Sequence, residues 1–176
     1  IELPWDRAEL DSDKSSCWVR VSSSWAGKHF GASTIPRVGM EVVVTYVEGD
    51  PDKPLITGCV PNTSTPVPYP LPANKTRTVM RSHSSPHTGG YNELSIEDRA
   101  GQEKIFLRAQ RDLEHIVLND SDTKIGRDRA EHITRDSRSL IDNDRFEQVG
   151  GNSTSLIKGN EQHTTQGLRD TVIEGN

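Results

Sequence analysis

Apolar side chains are scarce in this sequence. Of its 176 residues, 31% are hydrophobic and 5% aromatic, against roughly 45–50% apolar in an ordinary globular domain. The shortage excludes one self-contained core spanning the whole chain. Disorder is the poorer alternative: the net charge is only −5, and Val, Ile and Thr recur in strand-like runs. A core shared with other chains fits both observations. Basic excess is also lacking, which argues against a nucleic-acid-binding face. No apolar run approaches the ~20 residues of a membrane-spanning helix, and no secretory leader opens the chain. The first residues, "IELPWDRAEL", read like the interior of a longer protein. Cysteine is nearly absent. Cys17 and Cys59 make no metal site and suit a reducing compartment of synthesis, with a single disulfide left open.

What is present reads as all-β. In residues 1–60, "CWVRV" alternates Trp18 and Arg20 against Val19 and Val21, the period of a strand with one buried face. "GMEVVVTYV", the turn "EGDPDKP" and "LITGCV" predict a hairpin pairing 41–47 with 55–60. Closing such strands into a small barrel removes exposed edges. Residues 61–92 read as a linker, because Pro61, Pro66, Pro68, Pro70 and Pro72 cannot donate to a ladder. His83 and His87 lie four apart, a metal-ligand spacing only on a helix, which Ser84-Ser85-Pro86 disfavours. Residues 93–116 read as a hairpin transition, with Leu94 and Ile96, then Ile105 and Leu107, alternating around a turn.

The remaining residues, 117–176, repeat every eight. The first column is Val117, Ile125, Ile133, Ile141, Val149, Ile157, Thr165 and Ile173, all β-branched. The fourth is Asp120, Asp128, Asp136, Asp144, Asn152, Asn160, Leu168 and Asn176, and the third ends in Gly151, Gly159, Gly167 and Gly175. β-Branched residues suit a pleated buried position, while Gly and Asx suit tight turns. Each octad is therefore expected to be one short strand and one bend. A strand rises ~3.3 Å per residue, so an octad covers one side of a prism and cannot encircle it. Three chains close the prism and place the first column on a common axis. Glu131, Glu147 and His163, in column seven, share the parity of that column: either the strand bends before them or the axis is partly wet.

Rival readings fare worse. A heptad coiled coil needs a period of seven and tolerates few glycines. A calcium-binding β-roll needs a nine-residue repeat, so the Asp column reads as turns and not as a metal ladder. An enzyme would need a positioned catalytic group, and none is apparent among the Ser-His and acidic pairs. Trp5, Trp18 and Trp25 offer stacking platforms for an oligonucleotide, but no basic groove accompanies them.

The stretches "SSCWVRVSSSWAGKHFGASTIPRVGMEVVVTYVEGDPDKPLITGCV", "LPANKT" and "NELSIEDRAGQEKIFLRAQRD", with the octads, closely resemble the VgrG spike family of bacterial type VI secretion systems. The resemblance covers essentially the whole chain. It implies an OB-fold barrel followed by an intertwined triple-stranded β-helix in a homotrimer, related to the central spike of contractile-tail phages. The family's N-terminal hub is absent from this sequence, and only a Pro-rich linker stands where the phage spike carries a lysozyme domain. The octads run to the last residue, whereas family members continue to a blunt tip. The resemblance further implies a needle made in the bacterial cytoplasm, fired by a contracting sheath, and delivered outside or into a target cell. Implied partners are the secretion tube protein below, a tip-capping protein or effectors above, and transiently the target membrane. No cofactor, metal, nucleic acid or catalytic residue is expected.

Overall fold

The computed structural model describes residues 1–6 and 14–172. The chain divides into two units, Ile1–Leu118 and Asn119–Asn176, and among the described residues regular structure is β apart from one 3₁₀ turn, Val47–Gly49. The expected all-β class holds.

In the first unit, β1 (Arg20–Val21), β2 (Ala26–Gly27) and β3 (Phe30–Gly31) precede the predicted hairpin of β4 (Glu41–Tyr46) and β5 (Pro54–Val60). β5 is the central strand, antiparallel to β4 and parallel to β1. A register shift beside Val43 and Val44 bends the pair. The turn works because Glu48 and Gly49 take positive φ (57° and 74°), after which the Lys53 amide donates to the Asp50 carbonyl at 2.9 Å. β2 and β3 form a separate ribbon capped by an edge-to-face contact of Trp25 on Phe30, with centroids 5.9 Å apart. Gly31, at φ 135°, lies so close to the Trp25 carbonyl that a Cβ would meet it at 2.5 Å.

Ile56, in β5, is the one buried hydrophobic residue among those described. That scarcity is the structural counterpart of the thin composition.

A meander follows: β6 (Arg77–His83), β7 (Tyr91–Glu97) and β8 (Lys104–Arg108), with β7 in the middle. Leu94 faces Leu107 and Ile96 faces Ile105, as the alternation predicts. β6 lies inside the span read as a linker. Its "RTVMRSH" begins five residues after Pro72, where every amide can again join a ladder.

The sheet's two faces are inverted relative to a lone soluble sheet. Glu93, Ser95 and Glu97 are buried, whereas Met80, Leu94, Ile96, Ile105 and Leu107 are exposed. The segment ahead of β6 covers the polar face and leaves the apolar one open.

Replacing Ile56 by Ala should destabilise the first unit by about 2–4 kcal/mol, read as a shifted denaturant midpoint with an unchanged slope. A loss near zero would mean that β5 is not the centre of its packing.

Candidate functional site

From residue 110 onward the chain is extended and regularly bent. Bends fall at 118–119, 126–127, 134–135, 142–143, 150–151, 158–159 and 166–167, always eight apart, and a bend at 110–111 starts the register one octad before Val117. Six-residue runs without further turns separate them. The bends occupy columns two and three. The fourth-column residues Asp120, Asp128, Asp136, Asp144, Asn152 and Asn160 each follow a bend directly. Three of them meet a neighbouring side chain: Asn119 donates to Asp120 at 3.0 Å, and Arg127 and Arg135 lie 3.6 and 4.0 Å from Asp128 and Asp136.

Gly151, Gly159 and Gly167 lie in the bends, yet the glycines with positive φ among the described residues are Gly31, Gly39, Gly49, Gly89 and Gly101. The octad bends therefore do not use the left-handed conformation that Gly and Asn tolerate. A Cβ on these bend glycines would meet nothing of its own chain within 4 Å. Ile173, Gly175 and Asn176 lie outside the described residues.

The first column is distinct even in one chain. Its aliphatics run from 42% exposed at Val117 to 52% at Val149, whereas Leu118, Leu140 and Leu168 stand at 90% or more. Column seven needs no bend before it. Glu131 and Glu147 each pair with the arginine two residues earlier, Arg129 at 3.1 Å and Arg145 at 2.6 Å, and His163 meets Glu161 at 2.6 Å. Residues two apart on an extended run share a face, so these pairs lie on the face of the first column.

From 111 to 172, the described chain makes no backbone-to-backbone hydrogen bond with itself. Fixing a residue's backbone costs about 1–2 kcal/mol, and ordered backbone groups require partners. The chain itself supplies no such partners here.

The buried polar face of the meander was not anticipated. Each glutamate of β7 lies between cations of the flanking strands: Glu93 faces Arg81 and Arg108, and Glu97 faces Arg77 and Lys104. Arg81 meets Glu93 at 2.5 Å, and the Tyr69 hydroxyl donates to Glu93 at 2.8 Å. Tyr69, from the proline-rich segment, stacks under both Arg77 and Arg81 (4.4 and 4.7 Å), while Tyr91 stacks against Arg81 and Arg108.

Burial pushes the Glu93 carboxyl up, but hydrogen bonds from Tyr69, Ser95 and Arg81 and the Arg81 charge outweigh it and hold it below the ordinary carboxylate range. The Thr76 hydroxyl chiefly does the same for Glu97, against some desolvation and helped by the Arg99 amide and Arg77. Burial would lower Arg81, yet its bond to Glu93 and that charge leave it raised. Carboxylates held ionised and saturated with donors make a clamp and have no proton to supply as general acids. The sequence signal was the period-two run Tyr91, Glu93, Ser95, Glu97 opposite Arg77 and Arg81.

Elsewhere, the rings of His83 and His87 pack edge to face 5.3 Å apart. Cys17 and Cys59 are both exposed and free. Trp5, Trp18 and Trp25 are exposed.

Residues 78–176 match the family described as the bacteriophage T4 gp5 C-terminal trimerisation domain. Residues 6–60 match the type VI secretion system/phage-baseplate injector OB domain. The chain is 53% identical over 133 residues to the type VI secretion system spike protein VgrG4b of Pseudomonas aeruginosa, covering 76% of this chain and 16% of that one. It is 48% identical over 130 residues to the spike protein VgrG3 of Vibrio cholerae (73% and 13%). It is 49% identical over 126 residues to the actin cross-linking toxin VgrG1 of the same species (71% and 11%). The chain thus spans less than a fifth of the length of these relatives.

Because the folded-state values of Glu93 and Glu97 are depressed, their contribution is present above the unfolded carboxylate value of about 4.3. It is lost as pH falls through the folded values. Urea melts between pH 6 and pH 3 should show that loss, and Glu93→Gln should cost about 2 kcal/mol at pH 7 and flatten the acid limb. An unchanged acid limb would remove Glu93 from this role.

Proposed function

The chain belongs to the VgrG family of type VI secretion spike proteins, and from that premise we propose that it is a section of a homotrimeric puncturing needle. Its octads act as one wall of a triple-stranded β-helix. The observation that carries this reading is the absence of backbone-to-backbone hydrogen bonds within 111–172 beside bends recurring every eight residues. Partner strands supply what the chain cannot give itself. The exposed apolar face of β6–β8 supports the same conclusion, because its strands lie almost wholly inside the trimerisation match. Three such faces meeting would bury Met80, Leu94, Ile96, Ile105 and Leu107 together.

In this assembly, Val117, Ile125, Ile133, Ile141, Val149, Ile157, Thr165 and Ile173 form the axial core. Gly151, Gly159, Gly167 and Gly175 serve the bends by letting a neighbouring backbone approach closely. The Asx column sets the strand off after each bend. Stiffness follows from the same design: opening one level requires three chains to separate together, so a load is resisted by the unfolding barrier.

The role is mechanical and has no chemical step. The needle is made in the cytoplasm and delivered outward or into a target cell when a sheath contracts. It sits on the secretion tube protein, carries a tip cap or effectors, and crosses the target membrane only transiently. Among the described residues no helix is long and apolar enough to cross a membrane. The cross-linking activity in one relative's name belongs to a protein of which this chain matches 11%. A phage-baseplate central spike is the alternative and uses the same physics. Flanking sequence separates the two.

Light scattering of the purified chain should report three copies, and amide exchange over 112–172 should be slow; a folded monomer with fast exchange there would end the needle reading. Ile141→Asp should bring three charges onto the axis and lower the melting temperature by more than 10 °C or abolish the trimer. A chelator of divalent cations should change neither mass nor melting.

A further inference from the structure

The octads carry a second, longer period. From Ser121 to His163, columns five and seven hold hydroxyls in one octad and charges in the next; the following octad, with Arg169 and Thr171, departs from the pattern. Ser121 and Thr123, Ser137 and Ser139, and Ser153 and Ser155 are the hydroxyl levels. Between them stand Arg129 with Glu131 and Arg145 with Glu147, and then Glu161 with His163, contacting at 3.1, 2.6 and 2.6 Å. Over 121–163 the polar pattern therefore repeats every sixteen residues, although the bends recur every eight.

A uniform eight-residue repeat has a weakness. Slide one chain by one octad, and every first-column aliphatic and every bend still meets its like. Strand register is poorly specified wherever the pattern repeats under the slip. Polar groups on an otherwise apolar seam can remove such degeneracy.

We propose that the alternation of charged and hydroxyl levels sets the axial register among copies of this chain, a conclusion that rests on the trimer reading above. In register, each Arg–Glu level of one chain lies beside the Arg–Glu levels of the other two, so every carboxylate has cations on both sides. A slip of eight sets each charged level against serines, which strands charge in a closed interior. A slip of sixteen restores the match but leaves sixteen residues at each end without partners. The charged pairs thus serve specificity more than stability. Their solvent-exposed attraction in the single chain is worth little.

The test is a phase-shifted chain of unchanged composition: Arg129→Ser, Glu131→Ser, Ser137→Arg, Ser139→Glu, Arg145→Ser, Glu147→Ser, Ser153→Arg and Ser155→Glu. It is co-expressed with the parent chain carrying a short affinity tag, and native mass spectrometry counts the trimers. The shifted chain should trimerise with itself, and mixed trimers should fall at least tenfold below their random share. Mixing at the random share would overturn the proposal. So would failure of a milder exchange, confined to residues 145, 147, 153 and 155, to trimerise with itself or to reduce mixing with the parent. A parent chain that is monomeric under the same conditions would instead remove the trimer reading itself.

Discussion

Backbone hydrogen bonding is the constraint on which the rest depends. An eight-residue step with one bend cannot fold a strand back onto its own chain, so residues 111–172 present their amides and carbonyls outward. Few globular chains keep sixty residues ordered on such terms, because each ordered residue carries a conformational cost that internal bonds normally offset. The ladder must be completed from outside. The low hydrophobic content fits the needle proposed above, in which one inward aliphatic per octad and chain suffices.

The meander follows the same logic by another route. Its strands satisfy one another's backbone groups, so backbone bonding asks for no partner there. The side chains do. The polar face is closed by the chain's own Tyr69 and by arginines that neutralise Glu93 and Glu97, while the apolar face stays open. Buried ion pairs seldom add much net stability, but they can fix which face is in and which is out. Here they assign the apolar side to assembly. Two different devices, unpaired backbone in one unit and an uncovered apolar face in the other, point to the same need for further copies.

Much of this was legible beforehand, for identifiable reasons. The hairpin of Glu41–Tyr46 with Pro54–Val60 was readable because β-branched runs flanked a Gly, Asp and Pro turn. The octads were readable because the period sits in residue types that hardly vary, Val or Ile in one column and Asx in another. Strand β6 was missed because five nearby prolines outweighed a short run whose apolar residues are Val79 and Met80 alone. The Glu93 clamp was missed because Leu94 and Ile96 drew attention to the wrong face; ordinary patterning places the aliphatic side inward.

By itself, the sequence determined the period, the all-β class and the need for a shared core, since periodicity and composition are properties of residue order. Tertiary structure alone decided three things. Bends fall at columns two and three without left-handed glycines, because φ is set by the packed path and glycine only permits it. Column seven needs no bend before it, because Glu131 and Glu147 find arginines on their own face at hydrogen-bond distance. Polar residues fill the inside of the β6–β8 sheet, because contacts between residues far apart in sequence, Tyr69 with Glu93 and Thr76 with Glu97, outweigh any local preference.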